Sequence, residues 1–279
     1  MTTPLGSIVI AAHDEEAVIA RTLGRLHEVV GDGLVEVIVV CNGCRDRTAE
    51  IARGVPGVRV LELARPSKTA ALREGDRVSA PGPRIYLDAD VDLTGRAAVA
   101  TMRALSEGAI AGRPRHEFDT TGASGVVRRW YRVRARLPSI SHALWGAGCY
   151  ALSEEGRSRF GEFPEVIADD LLVDRLFTDD EVVIVDTDPV VVHTPRRLAD
   201  LLRIMRRSYR TQDEVAPDQG LLPATRRGHV RDLRELIAGD PGAALDVLVY
   251  VGVVVTARIG ARWGPAPRWE RDLSSRGQD

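Results

Sequence analysis

Apolar and amphipathic segments alternate over the first ninety residues of the chain. Short runs rich in β-branched and aliphatic side chains predict buried strands at 7–12, 34–41, 58–63 and 84–90. The segments between them carry apolar side chains every three or four residues, which predicts helices at 14–30, 47–53 and 68–78. Strands that alternate with helices in this way predict a mostly parallel, Rossmann-like sheet flanked by helices.

The pattern between residues 97 and 193 is less regular. Helical spacing predicts helices at 97–106, at 126–137 and from 168 onward. Strand-like runs occupy 109–113, 145–152 and 182–192. We expect Pro189 to break the last of these runs, because proline cannot donate a hydrogen bond to a neighbouring strand. Residues 114–124 are expected to form a loop.

The chain beyond residue 193 is helical in pattern and rich in arginine. Between Arg196 and Arg234 there are ten arginines against five acidic residues. A final apolar segment covers 243–259, where Asp246 and Arg258 leave about eleven uninterrupted apolar residues. A membrane span needs about twenty, so we expect a helix that is buried or lies on a membrane surface and does not cross it.

Composition and charge narrow the classes of protein. A chain of 279 residues with 44% hydrophobic side chains can bury a full core. Its formal net charge of −2 gives no reason to expect a nucleic-acid partner. Three cysteines are too few for a disulfide framework, and the first residues do not resemble a secretory signal, which favours a cytoplasmic location. The pair Cys41 and Cys44 lacks a second pair to complete a zinc site.

Polar side chains follow the strands at one edge of the predicted sheet, where ligands of parallel sheets bind. Asp88 and Asp90 come directly after the fourth strand and offer hard oxygen ligands for Mg²⁺ or Mn²⁺ together with substrate phosphates. The same pair also suits a turn that caps the following helix.

The first two strands end in similar clusters. Asp14 and Glu15 suit hydrogen bonds to a base and a ribose, and they equally suit the start of a helix. Asn42 and Asp46 follow the second strand and have the same two interpretations, base recognition or helix capping.

Three further positions carry candidate chemistry. Lys68 is the single lysine among 37 arginines and could neutralise a diphosphate, or lie on the surface. Asp169 and Asp170 form a second carboxylate pair, in which one residue could act as a general base or both could belong to a helix N-terminus. His193 ends a strand-like run and is a candidate metal or phosphate ligand, or a structural residue.

These segments together resemble one enzyme family. They read, in order, I-V-I-A-A-H-D-E-E, V-V-C-N-G-C-R-D-R-T, S-K-T-A-A-L-R-E-G, Y-L-D-A-D, G-A-G-C-Y-A-L and A-D-D-L. In this order, from Ser7 to about Arg210, the chain resembles family 2 glycosyltransferases, which have the GT-A fold and are typically inverting. The resemblance implies a GT-A-like catalytic domain at 1–210 and a C-terminal helical region with a loose tail at 211–279.

The resemblance also implies roles for matching residues. The loop from Ala11 to Glu16 corresponds to the family's nucleoside-contacting P-A-x-N-E-E loop, so it implies donor contacts at Ala12, Asp14 and Glu15. The second loop, with Asn42 and Asp46, corresponds to D-D-G-S-T-D, but Asn42 replaces an acid that contacts uracil.

The remaining motifs complete the donor and acceptor sites. Lys68 corresponds to the family's phosphate-side lysine, Asp88 and Asp90 to its metal-binding D-x-D, and Asp170 to its general base. The Q-x-x-R-W motif of processive members has no match, although three arginines lie in that region, at Arg203, Arg206 and Arg207. This difference favours transfer of a single sugar.

The sequence therefore predicts a metal-dependent, inverting glycosyltransferase. Its donor would be a nucleotide-diphosphate sugar, and its acceptor a small molecule, a glycan or a lipid-linked molecule, with possible peripheral contact to a membrane. Two alternatives use the same motifs: a nucleotidyltransferase, which typically has a glycine-rich loop after its first strand, and a protein that binds sugar nucleotides without turnover.

Overall fold

The structure of the protein is a computed structural model that describes residues 3–165, 168–214 and 226–262. The chain forms two compact units, each built from two segments of sequence. The first unit comprises Met1–Glu117 and Leu144–Val192, and the second comprises Phe118–Ala143 and His193–Asp279. The division expected from the sequence, a catalytic domain at 1–210 and a helical region at 211–279, remains a prediction. The compact units group the internal segment Phe118–Ala143 with the C-terminal part of the chain. The tail from Gly264 lies outside the described residues.

A seven-stranded sheet forms the centre of the first unit. Its strands are β1 (Ser7–Ala12), β2 (Glu36–Asn42), β3 (Val58–Leu63), β4 (Arg84–Asp88), β5 (Ala111–Asp119), β6 (Cys149–Leu152) and β7 (Val182–His193). They lie in the order β3-β2-β1-β4-β6-β5-β7. The first four pair in parallel, whereas β6 runs antiparallel to both β4 and β5. The predicted mostly parallel α/β sheet is thus confirmed.

Twelve α-helices accompany these strands within the described residues. They are α1 (Ile19–Gly24), α2 (His27–Gly31), α3 (Thr48–Arg53), α4 (Lys68–Val78), α5 (Gly95–Ser106), α6 (Gly125–Arg134), α7 (Pro138–Ser141), α8 (Glu154–Ser158), α9 (Asp169–Asp174), α10 (Leu198–Glu214), α11 (Arg226–Gly239) and α12 (Ala244–Arg262). The first unit contains α1 to α5, α8 and α9, and the second contains the others. The centre of the sheet is buried on both faces, because β1 and β2 consist mostly of buried aliphatic residues.

The helix predicted at 14–30 is wrong in its extent. Asp14 has a positive φ of 52°, which no helix accommodates. The backbone N–H of Glu15 donates to the side chain of Thr48 at 2.6 Å instead of entering a helix. The helical segment then divides into α1 and α2, and the carbonyl of Arg25 between them accepts from the backbone N–H of Gly95.

Two strand predictions also need correction. The loop predicted at 114–124 begins only after Asp119, because β5 continues through Pro114. Pairing of β5 with β6 covers only Ala111 and Gly112, so Pro114 removes no hydrogen bond from that ladder. The break predicted at Pro189 does not occur either. Since β7 is an edge strand, a proline can leave its ladder intact.

The second unit contains the long apolar helix α12. Tyr250 stacks on Trp130 of α6 with ring centroids 5.5 Å apart. Asp246 is buried and forms ion pairs with Arg129 and Arg132 of α6. The segment Pro241–Arg262 is 22 residues long and is apolar enough to cross a membrane by length and composition. The expected apolar stretch of about eleven residues is the part of this helix between Asp246 and Arg258.

Helix α4 packs closely on β1 and β2 through a glycine. A Cβ atom at Gly75 would collide with a methyl group of Val9 and lie 3.3 Å from one of Val40. The absent side chain therefore sets how near α4 approaches the sheet. Because α4 begins at Lys68, this contact also fixes the depth at which the lysine lies.

The start of α4 is tied to the sheet by Asn42, the only asparagine in the chain. Its side chain is buried, and both its amide nitrogen and its amide oxygen form hydrogen bonds. Nδ2 donates to the carbonyl of Ala12 at 2.8 Å, and Oδ1 accepts from the backbone N–H of Ser67 at 3.0 Å. Ser67 in turn caps α4 by accepting from the backbone N–H of Ala70 at 3.2 Å. One amide thus connects β1, β2 and α4.

We expect Gly75→Ala to destabilise the protein by about 1–3 kcal/mol, because the added methyl group overpacks the contact between α4 and β1. Urea unfolding measures this change. The matched control is Gly24→Ala, since Gly24 is exposed and a Cβ there meets nothing within 4 Å. It should be neutral or stabilising by up to about 1 kcal/mol. Equal urea midpoints of unfolding for the two variants would contradict the close approach of α4 to β1.

We expect Asn42→Asp to destabilise the protein at pH 7 by about 1–3 kcal/mol, because a carboxylate cannot donate to the carbonyl of Ala12. Protonation of the introduced carboxylate restores a donor. The loss of stability relative to wild type should therefore shrink as the pH falls toward the ordinary pKa of a carboxyl group. Urea unfolding of both proteins across this pH range is the measurement. A loss that does not change with pH would refute the donor role of the amide.

Candidate active site

The candidate catalytic side chains meet in a small open cleft at the carboxyl end of β4. Asp88 is the last residue of β4, and Lys68 is the first residue of α4. Asp169 and Asp170 form the first turn of α9, some eighty residues farther along the chain. All four line the cleft, together with Tyr150 of β6. The structure therefore brings together the three sequence motifs that contain these residues.

Lys68 joins two of these motifs by ion pairs. Its Nζ lies 2.7 Å from Oδ1 of Asp88 and 2.9 Å from Oδ1 of Asp169. Burial lowers the pKa of Lys68, but the charges of Asp169, Asp88 and Asp170 outweigh it and hold that pKa well above its ordinary value. The ammonium is therefore charged at neutral pH. Its side chain retains 23% exposure, enough to reach a ligand in the cleft.

Asp169 and Asp170 are neighbours with different surroundings. Asp169 is almost fully buried, with one oxygen on Lys68 and the other accepting from the hydroxyl of Tyr150 at 2.9 Å. Asp170 is half-buried, and its Oδ2 accepts from the backbone N–H of Gly146 at 2.8 Å. Asp169 thus connects Lys68 to Tyr150, whereas Asp170 is the more exposed of the two carboxylates that line the cleft.

The surroundings of Asp170 also disfavour its ionised form. Burial raises the pKa of Asp170, and the charge of Asp169 raises it further, while Lys68 and the N–H of Gly146 lower it. The net direction is upward. A carboxylate with a raised pKa is a stronger base than an ordinary one, which suits the abstraction of a proton.

Two glycines shape the wall of the cleft opposite α4. Gly146 and Gly148 both have positive φ, of 77° and 62°, in the turn that leads into β6. A Cβ at Gly148 would lie 3.0 Å from Oδ2 of Asp88 and closer still to Val91. Glycine at this position therefore leaves space for the carboxylate of Asp88.

Asp90 lies in the turn after β4, and its environment includes residues that the sequence did not indicate. Arg21 of α1 donates to the carbonyl of Asp90 at 2.9 Å and pairs with Asp92 at 2.8 Å. Thr22 donates to the carbonyl of Ala89 at 2.7 Å. Helix α1 thus holds the backbone of the D-x-D turn. Local periodicity could not identify this role, because it depends on how α1 packs against β4.

The loops after β1 and β2 lock onto each other. Oδ1 of Asp14 accepts from the backbone N–H of Arg45 at 2.6 Å, and the thiol of Cys44 accepts from the N–H of Asp14 at 3.3 Å. Asp46 accepts from the N–H groups of Glu16 and Thr48 and so connects the two loops next to the start of α3, whose N-cap residue is Arg47 and not Asp46. The side chains of Asp14, Cys44 and Asp46 approach closely enough to hold a cation. Their hydrogen bonds to backbone N–H groups show that they also brace these loops.

Cys44 also has an unusual acidity. A hydrogen bond from Cys41 lowers the pKa of the Cys44 thiol to about 7, although burial opposes this change. Ala12 contributes its carbonyl to the same region, where it accepts from Asn42. The residues predicted to contact the sugar donor, at the ends of β1 and β2 and in the loops that follow them, are therefore adjacent in space. Many of their backbone groups form hydrogen bonds between the two loops.

His193 belongs to the second unit. Its Nδ1 lies 3.2 Å from Oδ2 of Asp119 in the same unit, where the two residues end β7 and β5. The hydrogen bonds from Thr121, with a smaller contribution from His193, lower the pKa of Asp119. A carboxylate partner of this kind fixes the orientation of an imidazole.

The charge of the cleft fits a divalent cation. Three carboxylates (Asp88, Asp169 and Asp170) face a single ammonium, that of Lys68, so the ionised groups carry an excess of two negative charges. Carboxylate oxygens are the ligands that Mg²⁺ and Mn²⁺ prefer. The two residues of the D-x-D turn, Asp88 and Asp90, are suitably placed in sequence to hold such an ion together with phosphate oxygens.

Comparison with known proteins gives one family match and several similar structures. Residues 7–142 match the model of glycosyl transferase family 2. No curated protein matches the chain significantly. Among solved structures, a mannosyltransferase from Pyrobaculum calidifontis, in complex with GDP-mannose and Mn²⁺, superposes with a TM-score of 0.63 at 17% identity, covering 94% of this chain and 88% of that one.

A second solved structure gives the same fold. The glucosyl-3-phosphoglycerate synthase of Mycobacterium tuberculosis, in complex with Mn²⁺, UDP-glucose and phosphoglyceric acid, has a TM-score of 0.54 and 24% identity, covering 77% of this chain and 81% of that one. At these identities the likeness establishes the fold. Residues 7–142 therefore match glycosyl transferase family 2, and the chain has the GT-A-like fold of these two structures.

Proposed function

We propose that the protein transfers a single hexosyl group from a nucleotide-diphosphate sugar to an acceptor hydroxyl, with inversion at the anomeric carbon and dependence on Mg²⁺ or Mn²⁺. The observation that carries this proposal is the cluster in which Lys68 pairs with Asp88 and Asp169 while Asp170 borders the same cleft. A cation suited to phosphate, a carboxylate suited to a metal and a candidate base line the same cleft, which supports the proposal.

The donor diphosphate is assigned to Lys68, Asp88 and Asp90. The two solved structures of this fold were obtained with GDP-mannose or UDP-glucose and with Mn²⁺, which supports a donor of this class. The metal supplies charge neutralisation to the diphosphate, and Asp88 and Asp90 would hold it. His193 stays a predicted metal ligand: its imidazole is oriented by Asp119 within the second unit.

The nucleoside is assigned to the loops after β1 and β2, with Ala12, Asp14, Glu15 and Asp46 as its neighbours. Asn42 is assigned a different role from the acid it replaces, because both ends of its amide bind backbone groups. Its contribution to the donor site is to hold these loops and the start of α4 in place.

The chemical step is a single displacement. Asp170 accepts the proton of the acceptor hydroxyl, whose oxygen attacks the anomeric carbon as the bond to the diphosphate breaks. Lys68 stabilises the charge that develops on the leaving nucleoside diphosphate. Asp169 positions Lys68 and is not assigned the proton, because it is almost fully buried, with one oxygen on the ammonium of Lys68 and the other on the hydroxyl of Tyr150. Attack opposite the leaving group gives inversion.

The acceptor is proposed to be a small molecule, a glycan or a lipid-linked molecule. The reaction is placed in the cytoplasm, with contact to a membrane limited to its periphery. The absence of a Q-x-x-R-W motif from the sequence supports transfer of one sugar at a time.

We expect Asp170→Asn to lower kcat by about 10²–10⁴-fold with little change in donor affinity, because the substitution removes the base and keeps its shape. Steady-state kinetics and donor titration measure the two effects. The control is Asp174→Asn, one turn later in α9, where an amide oxygen can still accept from the N–H of Leu144. This control should retain near-normal kcat.

Two results would contradict this assignment. Near-normal kcat in Asp170→Asn combined with loss of activity in Asp169→Asn would mean that the two roles are reversed. Near-normal kcat in both variants would mean that neither carboxylate is the base. A protein that binds the donor and shows no turnover with any acceptor, and no hydrolysis of the donor, would support the binding-only alternative.

We expect Asp90→Ala to abolish the stabilisation that Mn²⁺ adds to donor binding, because it removes one ligand from the D-x-D turn. Thermal unfolding with a panel of nucleotide sugars, with and without Mn²⁺, measures this, since a bound ligand raises the apparent Tm. The control is Asp186→Ala, whose carboxylate is 98% exposed on β7. An Asp90→Ala protein with a wild-type response to Mn²⁺ and undiminished turnover would refute the metal assignment.

A further inference from the structure

One face of α12 exposes a continuous row of large apolar side chains. These residues are between 39% and 68% exposed, and they are Leu245, Leu248, Val251, Val255 and Ile259. At 100° per residue they span an arc of about 120° along the whole helix. Single exposed apolar residues are ordinary on a protein surface, but a row of five on one helix face marks an interaction site.

The opposite face of α12 packs within the second unit. Val247, Tyr250, Val253 and Ala257 are buried there, and α12 contacts both α6 and α10. Only 33% of the apolar window is buried, so the helix has one packed face and one exposed face. A helix held in this way on a folded unit presents a single side to an apolar partner, whereas a spanning helix would have to leave α6 and α10.

The charges around α12 identify the chemistry of that partner. Asp246 lies on the packed side, where Arg129 and Arg132 neutralise it. The exposed face has no acidic residue among the described residues of α12. Two exposed arginines lie near its C-terminal end: Arg262 in the last turn, and Arg258, which also stacks on the ring of Tyr209. The second unit as a whole has 20 arginines against 12 acidic residues, a formal surplus of eight positive charges.

We propose that the exposed face of α12 docks onto the surface of an anionic phospholipid bilayer, with the helix lying in the plane of the interface. The apolar row enters the boundary between headgroups and acyl chains, and the arginines contact the anionic headgroups. Long arginine side chains can extend from the apolar row to the headgroups. A second copy of the chain is the less suitable partner, because it would bring two units with the same positive surplus together.

Co-sedimentation of the full-length protein with vesicles tests this proposal without any measurement of sugar transfer. We expect the protein to pellet with vesicles of phosphatidylglycerol and phosphatidylcholine at low salt, and less at high salt. Binding should be much weaker with phosphatidylcholine alone. Failure of the wild-type protein to pellet with the anionic vesicles at low salt would overturn the proposal.

The double variant Leu248→Glu/Val255→Glu tests the face itself. Both side chains are exposed, so the variant should keep the wild-type Tm, while its partition to anionic vesicles should fall by about tenfold or more. The matched control is Leu34→Glu, which alters a leucine of 42% exposure in the first unit and should bind as wild type does. Undiminished binding by the double variant would overturn the assignment to α12.

Two further measurements separate the other possible occupants of this face. Washing the vesicles with alkaline carbonate should release the wild-type protein; retention would indicate a spanning helix and overturn the interfacial placement. Sedimentation without lipid should show no self-association through α12. A dimer that the double variant dissociates, together with an absence of vesicle binding, would assign the face to a second copy. These tests do not depend on the proposed transfer reaction. The docking proposal and the proposed function can therefore fail independently.

Discussion

The site depends on one ammonium group placed among three carboxylates. Lys68 contacts Asp88 and Asp169 directly and is close enough to Asp170 to be stabilised by its charge. Burial alone would drive the proton off the lysine, and the carboxylates prevent this. Without the ammonium, three like charges in a small cleft would repel one another. The residues that fix Lys68 are therefore as important to the site as those that line it.

The position of Lys68 is determined by packing and by a single buried amide. Gly75 allows α4 to approach β1, and Asn42 connects the carbonyl of Ala12 to the backbone N–H of Ser67 next to the lysine. The only lysine and the only asparagine in the chain thus act at the same place. In a chain that otherwise uses arginine for positive charge, a compact ammonium at this point fits a narrow cleft better than a planar guanidinium.

The two compact units differ strongly in charge. The first has 18 basic and 28 acidic residues, a net charge of −10, whereas the second has a net charge of +8. The near-neutral total conceals this segregation. An acidic unit that contains the carboxylate cleft suits a divalent cation, and a basic unit with an apolar helix face suits an anionic surface. Each property arises from the local chemistry of its own unit.

The amino-acid sequence by itself indicated the family resemblance, the mostly parallel sheet and four of the residues that line the cleft, Lys68, Asp88, Asp169 and Asp170. Strand and helix periodicity is a local property, and D-x-D, the lone lysine and Asp169-Asp170 are short motifs. It also indicated that Asp169 and Asp170 must face different ways, since successive residues on a helix diverge by about 100°.

Only the tertiary structure decided how these residues act on one another. The turn at Asp14, the division of 14–30 into two helices and the continuous β7 through Pro189 all follow from contacts with distant segments or from an edge position in the sheet. Burial and partners distinguish Asp169 from Asp170, and the packing of α1 gives Arg21 its role at the D-x-D turn. Pairing with Arg129 and Arg132 of α6 places Asp246 on the packed side of the last helix. The physical reason is common to all of these: a charge or a hydrogen-bond donor takes its role from groups that the chain brings near only on folding.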